Sequence, residues 1–290
     1  MLQGFSTHQI STEGVTIHLA TGGNGPPLLL LHGYPQTHHM WHRIAPPLAR
    51  DYTLVMPDLR GYGDSSKPKS DASHFAYSKR SMALDQVRVM ASLGYDAFYV
   101  AGHDRGGRVC HRMALDFPKQ VQKAAVLDIV PTHKLYTTVN QQLATGYYHW
   151  FFLIQPFDLP ERLIGADPEY YQRVKLGHWS AGMEGFSDAA LAEYIRCFCN
   201  PETIHATCED YRAGASIDLR HDEADMAQKV ICPLLVLWGE KGLMERNYDV
   251  LETWRERARD VRGRAIDCGH FLAEEAPRKT ARELSAFFGQ

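Results

Sequence analysis

What the chain lacks narrows its class before any motif is read. It has no excess of positive charge: over 290 residues, 31 Lys and Arg stand against 34 Asp and Glu, for a formal net charge of −3. A nucleic-acid surface has no electrostatic footing there, and a small-molecule partner becomes the default. No apolar run approaches the ~18 residues that a bilayer span requires. The opening stretch MLQGFSTHQISTEG lacks a basic segment followed by an apolar one, so the expectation is a cytoplasmic protein without a membrane partner. Cysteine is sparse, at six (Cys110, Cys197, Cys199, Cys208, Cys232, Cys268), in a chain long enough to build its own core, which argues for free thiols. Cys197, Cys199 and Cys208 cluster without paired spacing or a His-x-x-x-His partner, so no metal is expected. No internal repeat or low-complexity tract interrupts the text.

What is present alternates. Leu28-Leu29-Leu30-Leu31 is a short apolar run that ends in His32-Gly33-Tyr34-Pro35, and Thr53-Leu54-Val55-Met56 ends in the Gly-rich loop Asp58 to Ser65. Helical patterning follows from Ser78 to Leu93. The run Ala97 to Ala101 then leads into GHDRGGR, residues 102 to 108, and a helix that stops before Pro118. Ala124 to Val130 is again strand and turn. Apolar runs alternating with helices predict parallel strands covered on both faces. From His133 to Arg220 the text turns aromatic, polar and helical, as in YYHWFFLIQP, and strand-like text resumes only at Cys232 to Gly239. The expected organisation is therefore an α/β core over residues 1–132, an inserted helical lid over 133–220, and the rest of the core over 221–290.

A strand, a tight Gly-flanked turn and a helix form the setting of a nucleophile elbow, which lifts one side chain above the carboxyl ends of a sheet. The residue so placed is Asp104, not serine. With His32-Gly33-Tyr34-Pro35, Asp58-x-Arg60-Gly61-x-Gly63 and a late Gly269-His270, the elbow resembles the α/β-hydrolase fold in its dehalogenase and epoxide hydrolase branch. A carboxylate can displace a leaving group from saturated carbon and become an ester that water then attacks, whereas a serine alkoxide would leave an ether that hydrolyses with difficulty. His270 stands in the late position where that fold delivers its general base. Many relatives place the supporting acid in Trp-Gly-x-x-Asp, but here the text is Trp238-Gly239-Glu240-Lys241-Gly242. The acid is therefore assigned to Asp128, whose position inside an apolar run demands a partner, with Glu240 the weaker candidate. The backbone N–H groups of Tyr34 and Arg105 are the expected oxyanion donors.

Arg105 and Arg108 lie three apart at a helix start, share a face beside Asp104, and suit a planar carboxylate through paired hydrogen bonds. The plainer alternative is that one of them, Arg108 above all, pairs with a core acid such as Asp58. GHDRGGR followed by HRMALD, VLDIVPT, YYHWFFLIQP, IGADP and DYRAGASIDL together resemble the fluoroacetate (haloacetate) dehalogenases over nearly the whole chain. That resemblance implies Asp104, Asp128 and His270 as nucleophile, acid and base, and Arg105 and Arg108 as holders of the substrate carboxylate. It implies His149, Trp150 and Tyr211 as donors to the departing halide, although without it His149-Trp150 and Tyr211 would read as lid core. It further implies a small haloacid as partner, neither cofactor nor metal, and a homodimer. Trp179 reads equally as pocket wall or core, and His133, Tyr136 and Lys175 as residues facing the lid entrance. Tyr34, in a position often held by Phe, adds a hydroxyl near the oxyanion region. Two other readings stay open: an epoxide hydrolase with the same relay, and a non-catalytic receptor for small carboxylates.

Overall fold

The computed structural model describes residues 4–290; Met1 to Gln3, at the head of the expected first core segment, lie outside the described residues. Eight strands form one sheet: β1 (Ser6–Thr12), β2 (Val15–Gly23), β3 (Pro27–Leu31), β4 (Thr53–Pro57), β5 (Phe98–His103), β6 (Val121–Leu127), β7 (Leu234–Gly239) and β8 (Val261–Ile266). Their order is β1-β2-β4-β3-β5-β6-β7-β8, antiparallel at β1/β2 and β2/β4 and parallel from β4 onward. The four leucines of β3 and all six residues of β7 are buried, which requires cover on both faces and explains why these strands read as unbroken apolar runs. This is the mostly parallel, helix-covered sheet of the α/β-hydrolase fold.

Parallel strands point their carboxyl ends the same way, and that shared edge gathers residues far apart in the chain. Tyr34 follows β3, Asp104 follows β5, Asp128 follows β6 and His270 follows β8. The helix Lys79–Ser92 begins where the text predicts, because the Ser78 side chain accepts from the Ser81 N–H and caps it. The elbow helix runs Arg105–Asp116 and ends before Pro118.

Between β6 and β7 the chain makes a series of helices, from Thr132–Thr137 to Ile217–Ala224, and no strand. The helix Ile217–Ala224 runs through residue 221, where the second core segment was expected to start. Asp218 in its first turn accepts from the Lys79 N–H at 2.8 Å, which ties this helix to the helix Lys79–Ser92. Among the described residues, no helix is long and apolar enough to cross a membrane.

Two glycines make the elbow possible. A Cβ added to Gly102 would lie 2.3 Å from the Gly106 carbonyl oxygen, and one on Gly106 would lie 2.4 Å from the carbonyl oxygens of both Leu31 and His32. Strand and helix backbones touch here, so no side-chain rotation can relieve a clash. Gly106→Ala is expected to lower stability by about 3 kcal/mol, at the upper end of overpacking costs. Urea denaturation of both proteins checks this, and an unchanged midpoint would contradict the contact.

Candidate active site

The tight turn forces Asp104 into φ 46°, ψ −114°, a region that non-glycine residues seldom occupy. Asp128 also has positive φ, at 52°. Such conformations cost of order 1–3 kcal/mol each and persist only where the surroundings impose them. Two of the three non-glycine residues with positive φ among the described residues are thus the candidate nucleophile and the candidate relay acid.

The three relay residues meet in the interior. His270 Nδ1 donates to Asp128 Oδ2 at 2.5 Å, and Asp128 Oδ1 accepts the Gly239 N–H at 2.8 Å, so β7 fixes the acid while the acid fixes the ring. His270 Nε2 lies 3.9 Å from Asp104 Oδ2, too far for a direct hydrogen bond and aimed at the space beside that carboxylate. His103 Nε2 donates to the His270 carbonyl at 2.8 Å and steadies the loop. Glu240 is exposed, whereas Asp128 and His270 are buried. The missing acid at 242 acquires a spatial meaning: a Cβ built on Gly242 would lie 3.4 and 3.6 Å from the two Asp128 carboxylate oxygens. Positions 128 and 242 converge on one place.

Electrostatics suit the arrangement. Burial pushes the Asp104 carboxyl up, but His270, Arg108 and Arg105 outweigh it and hold the group below its usual range. Burial pulls His270 down, yet the hydrogen bond and charge of Asp128, followed by the charge of Asp104, leave it raised. The Tyr34 N–H donates to Asp104 Oδ1 at 2.9 Å, as an oxyanion donor at this carboxyl would. Arg105 is the first residue of its helix, so its N–H has no partner within that helix. The loop carrying Tyr34 is fixed by His32, whose Nδ1 donates to the Gly33 carbonyl while its Nε2 accepts from the Leu59 N–H, both at 3.0 Å. The Tyr34 hydroxyl, expected near the oxyanion region, has its hydrogen-bond partner in the lid, where it donates to the Tyr171 hydroxyl at 3.3 Å.

The two arginines behave differently, and the acid partner expected for Arg108 belongs to Arg105. Asp58 is occupied by His38, whose backbone N–H and Nδ1 both donate to Oδ1 at 2.8 Å. Arg105 donates from Nε and Nη2 to the two Asp210 carboxylate oxygens at 2.8 and 2.7 Å, leaving only Nη1 without a partner among the described residues. Arg108 has neutral partners alone, the Val130 carbonyl at 2.9 Å and Thr132 Oγ1 at 3.0 Å, both through Nη1. Its Nε and Nη2 are unpartnered among the described residues.

Around these cations stand the lid residues. His149, Trp150 and Tyr211 are at most 1% exposed, and His149 Nδ1, Trp150 Nε1 and the Tyr211 hydroxyl have no partner among the described residues. The Arg105 guanidinium lies 4.1 Å from the Tyr211 ring centre and that of Arg108 4.4 Å from Trp150. The rings of His149 and Tyr211 are 5.4 Å apart, and those of Trp150 and Tyr211 5.7 Å. Burial, then the nearby Lys175, holds His149 well below the usual histidine range, so it is a neutral imidazole. Burial raises Tyr211, which keeps its phenol proton. Buried polar groups are normally satisfied, so such a concentration of unpartnered donors beside one carboxylate marks a place built for an anion.

Trp179 is both wall and core. It is 8% exposed, its ring centre is 4.4 Å from that of His149 and 5.4 Å from that of His270, and it also lines a cavity of about 480 Å³ that reaches the back of His270 and Asp128. Tyr147, Tyr148, Lys241, Gly242 and Arg246 line that cavity too. Asp104, Arg105, Arg108, His149, Trp150 and Tyr211 are not among its lining residues. Of the entrance candidates, His133 approaches Glu223 at 4.0 Å, while Tyr136 packs on Trp150 with its hydroxyl unpartnered among the described residues. Lys175 is fully buried, with Nζ 3.4 Å from the Tyr148 ring centre, and is pulled down to about 7 by burial. Away from the site, His18, His38 and Asp58 bring potential metal-ligand atoms within 4.8 Å of one another, but the Asp58 oxygens already accept from His38 and Asp64.

Sequence reasoning missed Asp210, with Lys79 and Tyr62 behind it, and Thr132 under Arg108. The signal for Asp210 was the one that singled out Asp128: a carboxylate in a buried stretch, here the helix Pro201–Gly214, requires cations.

The family model for the alpha/beta hydrolase fold matches residues 26–277. The chain is 46% identical over 288 residues to the fluoroacetate dehalogenase of Burkholderia sp, covering 99% of this chain and 95% of that protein. It is 34% identical over 288 residues to the soluble epoxide hydrolase of Corynebacterium sp. (strain C12), covering 97% and 96%. The crystal structure of ALR0039 from Nostoc sp PCC 7120 superimposes with a TM-score of 0.98 at 61% identity, covering 99% of both chains.

Proposed function

The chain belongs to the alpha/beta hydrolase fold family, and we propose that within it the protein hydrolyses fluoroacetate and related small 2-haloacids to the 2-hydroxy acid and halide. One observation carries this reading. Buried donors unpartnered among the described residues stand in two groups near Asp104, guanidinium N–H groups from Arg105 and Arg108, and ring or hydroxyl donors from His149, Trp150 and Tyr211. A small haloacid has two ends that need such groups, a carboxylate and a carbon–halogen bond.

In this mechanism the arginines hold the carboxylate, and Asp104 Oδ2 attacks the adjacent carbon. The carbon–halogen bond breaks as the ester forms, and the halide leaves with the bonding pair toward His149, Trp150 and Tyr211. Fluoride carries concentrated charge, so its departure requires several strong donors where that charge develops. His270 then takes a proton from water, which attacks the Asp104 carboxyl carbon. The oxyanion so formed faces the N–H groups of Tyr34 and Arg105; on collapse protonated His270 returns its proton to the departing glycolate oxygen, and Asp104 loses its remaining proton to solvent and is restored as the carboxylate. Asp128 holds His270 in the tautomer that presents Nε2 as acceptor. No step draws on a metal or cofactor. The same reading takes the protein as a cytoplasmic homodimer.

Purified protein incubated with fluoroacetate is expected to release fluoride and glycolate in equal amounts, read by a fluoride electrode and chromatography. Folded protein that releases no halide from fluoroacetate, chloroacetate or bromoacetate would end this reading. An epoxide hydrolase shares the relay and finds phenols in Tyr211 and Tyr136, both unpartnered among the described residues. It leaves the Arg108 cation without a task. Turnover of styrene oxide without haloacid activity would select it. A receptor for small carboxylates would bind glycolate and turn over neither substrate.

A further inference from the structure

The two arginines do unequal work, and the cause lies in the lid. Asp210, fully buried in the helix Pro201–Gly214, takes Arg105 from the side: Nε and Nη2 donate to its carboxylate, and Nη2 also donates to its backbone carbonyl at 2.7 Å. The Tyr62 hydroxyl donates to Asp210 Oδ2 at 2.6 Å, and Lys79 Nζ donates to Oδ1. Asp218 approaches Lys79 Nζ at 3.5 Å. Two cations, Arg105 and Lys79, thus stand against two carboxylates, Asp210 and Asp218. The group is neutral by itself, so Arg105 offers an incoming carboxylate one directed N–H and little net charge. Among the described residues Arg108 has no carboxylate on its side chain and presents two adjacent unpartnered donors, Nε and Nη2, the pair that makes a side-on bidentate contact with a carboxylate.

We propose that Asp210 is a positioning residue: it withholds Arg105 from full pairing with the substrate, so that Arg108 clamps the carboxylate through two N–H groups and Arg105 Nη1 only orients it in line with Asp104. This rests on the haloacid reading above. Its physical content is a restraint. Released from Asp210, Arg105 would compete with Arg108 for the same carboxylate, bind it at least as tightly, and draw the reacting carbon off the Asp104 line. Binding that strengthens the ground state while misaligning the reaction lowers kcat without raising KM. A merely structural loss would loosen the pocket and raise KM.

The test is the kinetics of Asp210→Asn with fluoroacetate, alongside calorimetric titration with glycolate. The expected result is a kcat lowered by about tenfold to a hundredfold, KM unchanged or lower, and glycolate bound as tightly as by the wild type or more so. Gly214→Ala crowds the same guanidinium while leaving every carboxylate in place, since its Cβ would lie 3.2 Å from Arg105 Nη2 and 3.6 Å from Nη1. It decides the matter if Asp210→Asn does not fold, and its kcat is expected to fall with KM steady. Unchanged kcat in a folded variant, or a KM raised by more than about threefold, overturns the proposal while leaving the haloacid reading intact. A wild-type protein that releases no halide overturns both.

Discussion

Given fluoroacetate, His270→Asn is expected to release one fluoride per active site and stop, with a carboxymethyl ester on Asp104. The first half of the reaction needs only a charged Asp104, the arginines and the halide donors, none of which the substitution removes. The second half needs a base for water, and Asn has none. Steady turnover should fall by about 10^3- to 10^4-fold, the scale general-base catalysis and a relay histidine supply. The charge balance explains why His270 suits the second half. In the free protein Asp104 helps raise His270, along with Asp128. Esterification removes the Asp104 charge, so His270 gives up its proton more easily at the moment when a neutral imidazole is required. Hydrolysis of the ester should accordingly rise with pH through the His270 titration and level off above it. Peptide mass spectrometry after a single addition of substrate locates the adduct. Continued turnover, or fluoride release without a mass change on the Asp104 peptide, would contradict covalent catalysis.

Much of this was legible in the text because the chemistry sits at strand ends. Each parallel strand leaves an apolar run, and the residue just past the run lies at the shared carboxyl edge, so Tyr34, Asp104, Asp128 and His270 could be placed together without coordinates. The glycines of GHDRGGR were legible for the same reason, since backbone contact at the elbow excludes every side chain there. The lid was harder. His149, Trp150 and Tyr211 look like buried aromatics of any helical insertion, and only family resemblance set them apart. Which arginine carries an acid partner was not legible, because that pairing joins Arg105 to Asp210 across 105 positions and through a lid helix whose docking the text does not encode locally. The partner of the Tyr34 hydroxyl was hidden for a similar reason: the backbone N–H meets Asp104, while the ring packs on His149 and Tyr211 and its hydroxyl ends on Tyr171, 137 positions away.

The relay acid permits the sharpest test, because two chain positions share one location. Asp128→Asn keeps the shape and the positive φ, which asparagine tolerates, but turns an amide toward His270 Nδ1 and favours the wrong tautomer. Turnover should fall by about 10^4-fold. A carboxylate supplied from position 242 ought to restore much of it, since that Cβ would lie 3.4 Å from Asp128 Oδ1 and 3.6 Å from Oδ2. Gly242 has φ −82°, a backbone angle any residue adopts, and its Cβ would need the Gly239 carbonyl oxygen, 3.1 Å away, to give by a few tenths of an ångström; position 128 has φ 52°, where glycine is at ease. Exchanging the two residues, Asp128→Gly with Gly242→Asp, therefore moves the carboxylate onto relaxed backbone and avoids placing two acids together. The exchanged protein is expected to exceed Asp128→Asn in kcat on the order of a hundredfold. Gly242→Asp alone sets two carboxylates side by side, so one of them must hold a proton or turn away, and its kcat should fall below that of the wild type. If Asp128→Asn keeps turnover within about tenfold of the wild type, the acid behind His270 is not Asp128. Exposed Glu240 then becomes the residue to replace.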